Sequence, residues 1–382
     1  MQEEIKKFFK GDIESSDETL TKYSHDASVL EIRPELVLFP KDDEDVKNLV
    51  KWVNENKTKY PKLAITPRSA GTCMSGGSIG ESLILDFTRY MNKLVSFNPS
   101  NFSQITVMPG MYYRDFEKIT LEKGMILPCY TASKNINAVG GMYGNNSAGE
   151  RTLSYGKTEE FIAEAKVVFS DGNLYTVRPL SERDLAIKIM KNDFEGNLYK
   201  KIYDMILANR EELANAKPKV TKNSAGYYLW NVVDFEGKRG KDEYFDLNRL
   251  LVGSQGTLGI TTEITFKLVR EAPYRKLLVV FLRDIELLPN LVNKTLKHKP
   301  ETLESYDDKT FLLVLKYIWD FIKLLGFKNL LKLIFSFGPE TMMTLRHGFP
   351  KLILLIEFAG ESKAVVDAQA KNAYEDLKRE KN

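Results

Sequence analysis

Pro67-Arg68-Ser69-Ala70-Gly71-Thr72-Cys73-Met74-Ser75-Gly76-Gly77-Ser78 separates two short apolar runs, residues 63–66 and 83–86, that read as buried strands. Glycines let a backbone come close to a ligand and adopt positive φ. Successive N–H groups in such a turn form an anion-binding concavity, to which Ser and Thr hydroxyls add donors. A diphosphate is the natural occupant. The spacing is neither G-x-G-x-x-G nor G-x-x-x-x-G-K-[ST], so the dinucleotide fingerprint and the P-loop are excluded. Taken alone, the stretch serves equally well as a structural hairpin.

Two more glycine-rich loops follow. Ala138-Val139-Gly140-Gly141-Met142-Tyr143-Gly144-Asn145-Asn146-Ser147-Ala148-Gly149 offers small residues for close approach and amide or hydroxyl groups for polar contacts. Val252-Gly253-Ser254-Gln255-Gly256-Thr257-Leu258-Gly259-Ile260 again pairs glycines with hydroxyls before a strand. Three such loops in one domain, each close to a strand, suit a long, diphosphate-containing cofactor contacted along its length.

Around the loops, strands are expected at 36–39, 63–66, 83–86, 105–108, 165–169, 174–177 and 260–268. Val46, Leu49, Val50 and Val53 recur at helical spacing after Pro40. The mixture predicts an α+β fold, not a doubly wound sheet. A change of composition at Glu271-Ala272-Pro273 divides the chain into domains at 1–270 and 271–382. In the second, strands at 277–282 and 352–358 and helices at 285–296 and 363–378 outline part of an α/β unit. The 382 residues are 43% hydrophobic and 28% charged with a net charge of +3, which gives no reason to expect nucleic acid. Cys73 and Cys129 have no metal spacing and make no disulfide framework, so a reducing, cytoplasmic setting is expected. The charged N-terminus is not a signal peptide, and no apolar run is long enough to span a bilayer.

The three loops, in this order, resemble the signatures of the vanillyl-alcohol-oxidase/p-cresol-methylhydroxylase (PCMH) type FAD domain. Tyr23-Ser24-His25-Asp26-Ala27-Ser28, Leu153-Ser154-Tyr155-Gly156 and Lys222-Asn223-Ser224-Ala225-Gly226-Tyr227 are smaller echoes of the same pattern. The pattern is most similar to the branch of the glycolate-oxidase flavin subunit and D-lactate dehydrogenase, and residues after Pro273 resemble that branch's cap domain. The resemblance implies a two-subdomain FAD-binding domain followed by a cap domain. It implies that Ser69, Ala70, Gly71, Thr72, Cys73, Gly76, Gly77 and Ser78 hold the FAD diphosphate. Ser133, Gly140, Gly141, Asn145, Asn146, Ser147 and Gly149 would line the flavin and ribityl side, and Ile260 would make a backbone contact; Asn145 and Asn146 could instead satisfy loop backbone. Thr72 stands where some relatives carry a flavin-linked histidine, so the FAD is expected to be non-covalent.

The branch's late motif G-H-x-G-D-G-N-x-H is absent, so the cap reads as truncated, with base, metal ligands and most substrate contacts beyond Asn382. His25, His298 and His347 lie far apart without metal spacing; no metal site is read and no catalytic residue is assigned. Arg151 and Arg346 are read as solvated surface arginines. In the apolar-basic segment 311–337, Lys316, Asp320 and Lys323 share one polar face. The segment either lies on a membrane surface, which would place the protein peripherally at the inner face, or packs on the cap or a second subunit. The implied activity is hydride transfer to FAD from a small D-2-hydroxy acid of the lactate, glycolate or 2-hydroxyglutarate class, with a quinone or a protein as electron acceptor. The alternative is an FAD-binding, electron-transfer subunit without a complete active site of its own.

Overall fold

The computed structural model describes residues 1–98, 100, 103–220, 222–223, 225–317, 319–320 and 349–378. The chain folds into two compact units, Met1–Glu271 and Ala272–Asn382. The architecture is α+β.

Among the described residues the first unit holds two larger sheets and a two-stranded one, Val269–Arg270 with Met125–Ile126. Leu36–Phe39, Leu83–Asp86 and Ile65–Arg68 pair parallel, and Asp12–Glu14 closes the other edge antiparallel to Leu36–Phe39. The runs LVLF and LILD are buried at every position, as strands covered on both faces require. Helix Asp43–Asn56 covers this sheet with Val46, Leu49, Val50 and Val53, and its N-cap Asp42 accepts from the Asp45 N–H at 3.1 Å. Pro67 lies inside Ile65–Arg68, a strand that starts two residues after the expected one and runs past it. The strand is at the sheet edge, where a missing N–H breaks no ladder bond.

The second sheet runs Leu94–Phe97, Gln104–Val107, Ile260–Lys267, Ile162–Val168, Leu174–Val177, all antiparallel. Ile260–Lys267 alternates strictly between buried and half-buried positions, the period-2 signature of a strand with one covered face. Its inward side chains Ile264 and Phe266 join the largest core cluster with Phe116, Val107 and Ala165. Val168 and Ile260 of this second sheet pack into the core of the first, where the two sheets meet.

The second glycine-rich stretch is not a loop throughout. Val139–Asn145 is a helix despite Gly140, Gly141 and Gly144, and Asn146 ends it in the left-handed region at φ 47°. Each glycine costs a helix about 1 kcal/mol relative to alanine. Packing overrides that cost at Gly140, where a Cβ would stand 2.6 Å from the Pro109 oxygen and 2.7 Å from Ser69 Oγ.

In the second unit Leu352–Gly360 is the central strand, antiparallel to Tyr274–Leu282 on one side and Thr302–Asp307 on the other. The outer two are parallel to each other, with helix Leu288–Lys297 between them in sequence, a split β-α-β unit. Helix Lys363–Lys378 contributes Val366, Ala370, Ala373 and Leu377 to its core. Residues 311–316 continue the helix Asp308–Lys316, while residue 318 and residues 321–348, with most of the apolar-basic segment, Arg346 and His347, lie outside the described residues. Among the described residues no helix is long and apolar enough to cross a membrane.

Candidate functional site: a carboxylate-free cavity

Arg68, the last residue of its strand, sets the conformation of the first glycine loop. Its guanidinium turns back to donate to the carbonyls of His25 at 2.9 Å and Ser78 at 3.3 Å, and lies 4.9 Å from the centre of the Tyr23 ring. Tyr23 in turn donates to Asp86 Oδ2 at 2.9 Å. Gly71, at φ +66°, makes room for this arrangement: a Cβ there would stand 2.3 Å from the guanidinium. At the far end of the loop the Ser78 hydroxyl donates to Asp26 Oδ2 at 3.0 Å, and the Ser28 N–H donates to Oδ1 at 2.8 Å. Burial alone would raise Asp26, but these hydrogen bonds outweigh it and hold the carboxyl below its ordinary range. The segment around Asp26 thus fastens the loop at both ends. Between the fastenings, the N–H groups of Ala70 to Ser75 donate to no protein group among the described residues.

Helix Val139–Asn145 meets the loop from one side. Its first N–H groups are already used: Val139 donates to the Met111 carbonyl, Gly140 to Pro109 at 2.8 Å and Gly141 to Ala138. The helix therefore presents a bare surface, and nothing lies within 4 Å of where a Gly141 Cβ would be. The third glycine loop is tied to this helix by the Gly253 N–H to the Tyr143 carbonyl at 3.0 Å and the Gln255 N–H to Gly144 at 2.8 Å. Gln255 takes a positive φ of 53° to do so. The same loop abuts the first one, because Gly256 rests on Pro67 and Gly77 on the Gln255 amide.

The three segments enclose a cavity of about 1010 Å³, the upper end of the range for cofactor sites. Ser69, Ala70, Gly71, Thr72, Cys73, Gly77, Ser78, Ser133, Gly140, Gly141, Asn145 and Ser147 line it. Gly76, Asn146, Gly149 and Ile260 are placed outside the lining. Asn146 is buried as the helix C-cap, and its Oδ1 accepts the Glu159 N–H at 3.1 Å, so it satisfies backbone. Gly149 packs on the Tyr130 carbonyl, and Ile260 lies in the core opposite Val168. Gly76 turns at φ +79° beside Leu30.

Sequence reasoning left out Thr131, Asn137, Lys222, Asn223, Gly226 and Tyr227, all of which line the cavity. Lys222 to Tyr227 stood among the quoted motifs, so the signal was present but had no assigned role. Asn137, directly before the second glycine stretch, had no assigned role either, and Thr131 carried no signal. The Asn137 Nδ2 donates to Thr131 Oγ1 at 2.9 Å, and that hydroxyl pairs with Ser133 Oγ at 2.9 Å.

No aspartate, glutamate or histidine lines the cavity among the described residues, whereas Arg68 and Lys222 do. Unpaired N–H donors, hydroxyls, the Arg68 guanidinium, which also faces Asp86 and Asp26 behind the loop, and the Lys222 ammonium are the donor set for a dianion such as a diphosphate. The bare helix surface beside them leaves room for a flat, largely apolar ring. Cys129 is fully buried, and burial pushes its thiol up to about 12. Arg151 is buried and not solvated: it grips Glu271 through two nitrogens at 3.0 and 3.2 Å and lies against the Tyr130 ring. A guanidinium used in this way has no fork left for a ligand carboxylate.

Residues 34–178 match the FAD binding domain family. The chain is 25% identical over 369 residues to D-2-hydroxyglutarate dehydrogenase of Escherichia coli (strain K12), covering 96% of this chain and 34% of that protein. It is 26% identical over 300 residues to glycolate oxidase subunit GlcD of Bacillus subtilis (strain 168), covering 77% and 50%, and 26% identical over 257 residues to D-lactate dehydrogenase of Anaerostipes hadrus, covering 66% and 40%. Solved structures of alkyldihydroxyacetonephosphate synthase superpose with a TM-score of 0.64 at 18% identity, covering 99% of this chain and 58% of theirs, and so share the fold. The chain spans about a third of the length of the first of these relatives.

Proposed function

We propose that this chain, whose residues 34–178 form a PCMH-type FAD binding domain with FAD as cofactor, is the flavin-binding part of an oxidoreductase acting on a small D-2-hydroxy acid. The observation that carries the reading is the cavity: large, built by three glycine segments and, among the described residues, lined by two cations and no carboxylate. The likeness to relatives named for D-2-hydroxyglutarate, glycolate and D-lactate supports the substrate class.

In this reading Ser69 to Cys73, Gly77 and Ser78 hold the diphosphate through N–H groups, while Arg68 fixes the loop from beneath and adds positive charge. Gly141 lets the ring system lie against the helix, and Thr131, Ser133, Asn137, Asn145 and Ser147 provide its polar contacts. Thr72 and the deeply buried Cys129 offer no attachment point, so binding is non-covalent. When bound, FAD supplies a ring that accepts a hydride from the α-carbon of the substrate. The cavity walls exclude water from that ring and fix its orientation. Removing the substrate's hydroxyl proton needs a base, and among the described residues the cavity offers neither carboxylate nor imidazole.

That lack favours, as a second reading, an FAD-binding, electron-transfer subunit that works in a complex. Anaerobic mixing of the FAD-loaded chain with D-lactate, glycolate and D-2-hydroxyglutarate separates the two. Bleaching of the flavin absorbance by one of them supports the oxidoreductase. Oxidised flavin after prolonged incubation with all three, in a protein that dithionite does reduce, contradicts it and supports the subunit.

A further inference from the structure

Among the described residues Lys222 is the only lysine that lines the cavity, and no described side chain forms an ion pair with it. It sits on an exposed segment with Asn223, Ala225, Gly226 and Tyr227, which also line the cavity. That segment is fastened on both sides. At one end the Asn223 carbonyl accepts from Lys157 Nζ at 2.8 Å and from the Tyr228 hydroxyl. At the other, the Tyr227 hydroxyl pairs with Thr257 Oγ1 at 2.8 Å, and Thr257 Oγ1 donates to the Ser254 carbonyl at 2.6 Å, on the loop that abuts Pro67 and Gly77.

Lys157 is buried, which is costly for an ammonium unless every donor is used. Besides Asn223 it meets Tyr228 Oη at 3.0 Å and Glu159 at 3.1 Å, and stands 4.2 Å from the centre of the Tyr228 ring. Glu159 is held in turn by Asn146, the cap of the helix that forms the cavity wall. A buried charge thus ties an exposed segment to the wall.

We propose that Lys222 binds the diphosphate of the cofactor in this cavity, and that Lys157 and Tyr227 are positioning residues that hold Lys222 over it. The inference rests on the FAD reading and adds a cation to it. An ammonium on an otherwise solvated segment lines the same cavity as the unpaired N–H groups of the first loop. Lys222 then supplies charge while the first loop supplies geometry.

The test is FAD affinity by flavin-fluorescence quenching for the wild-type chain, Lys222→Gln, Tyr227→Phe, Lys157→Met and the double variant Lys222→Gln/Tyr227→Phe. Lys222→Gln is expected to weaken FAD about tenfold at low salt, with the difference shrinking as salt screens the pair. It should also reduce competition of inorganic pyrophosphate with FAD. Tyr227→Phe should weaken binding in the wild-type background and have little further effect once Lys222 is gone, because it acts through that side chain. A purely structural role for Tyr227 would give additive losses. Lys157→Met is expected to match Lys222→Gln; where it does not fold, Tyr227→Phe decides. Wild-type FAD and pyrophosphate affinity in Lys222→Gln, or additive losses in the double variant, would overturn the proposal. A wild-type chain that takes up no FAD would instead overturn the cofactor reading.

Discussion

Gly140 and Gly141 are neighbours in one helix, and the structure assigns them opposite jobs. A Cβ on Gly140 would stand 2.6 Å from the Pro109 oxygen, 2.6 Å from Pro109 Cβ and 2.7 Å from Ser69 Oγ. Two of these belong to a proline and its carbonyl, which cannot swing aside, so the helix must shift. Overpacking of this kind costs about 1–3 kcal/mol, against a helix-propensity gain of up to about 1 kcal/mol. A Cβ on Gly141 meets nothing within 4 Å and keeps the propensity gain. Apo Gly140→Ala should therefore be less stable than wild type and apo Gly141→Ala at least as stable, a separation of about 2 kcal/mol. At about 2–4 °C per kcal/mol for a domain of this size, thermal melts should place the two roughly 4–8 °C apart. The space that makes Gly141→Ala harmless is, in the proposed reading, the space the cofactor would take. Gly141→Leu should fold, with an unchanged circular dichroism spectrum, yet bind FAD at least about tenfold more weakly, since a buried ligand cannot share volume with an isobutyl group. Equal melting temperatures for the two alanine variants would refute the packing argument. Wild-type FAD affinity in a folded Gly141→Leu would remove this helix from the site.

Three further predictions follow from the same geometry. Gly77→Asp displaces only the end of the Gln255 side chain but puts a carboxylate into a carboxylate-free cavity, so FAD titration should show a loss of several kcal/mol while the fold survives. Asp26 sits below its ordinary pKa, so its contribution is present above about pH 4, the unfolded value, and is lost as pH falls through the folded one. Urea denaturation should find Asp26→Asn about 1 kcal/mol less stable at pH 7, with the gap closing below pH 4; a gap that persisted in acid would show that the charge is not what counts. Of the two thiols, the fully buried Cys129 should resist a disulfide reagent at pH 8 while the half-buried Cys73 reacts, and bound FAD should slow Cys73; two fast thiols in the native protein would contradict the burial.

Much of the first unit is legible in the sequence because its signals are local. LVLF and LILD announce covered strands, ITTEITFK announces a half-covered one, and the spacing of Val46, Leu49, Val50 and Val53 announces the helix between them. What escapes is what depends on distant neighbours. Three glycines argue against a helix at Val139–Asn145; it forms because Val139, Met142 and Tyr143 pack into the core, while Pro109 and Ser69 leave no room for a Cβ at 140. Pro67 argues against a strand until its edge position is known. Arg151 gives no hint that Glu271, 120 positions away, takes it out of solvent. Lys157 follows Tyr155-Gly156 and looks like any surface lysine, because the Asn223 carbonyl that makes its burial tolerable comes 66 residues later. The three glycine patterns marked the walls of the cavity. Arg68 and Lys222 stood in the motifs without an assigned role, and the contacts that fasten the 222–227 segment were not legible.

The central claim is a cavity that holds one FAD without a covalent bond, and the most direct measurement is flavin content before and after acid precipitation. The purified chain, saturated with FAD and freed of excess, should carry one FAD per chain and release all of it into the supernatant. Flavin that stays with the precipitate would contradict the non-covalent reading, and a chain that retains no FAD after saturation would contradict the site itself.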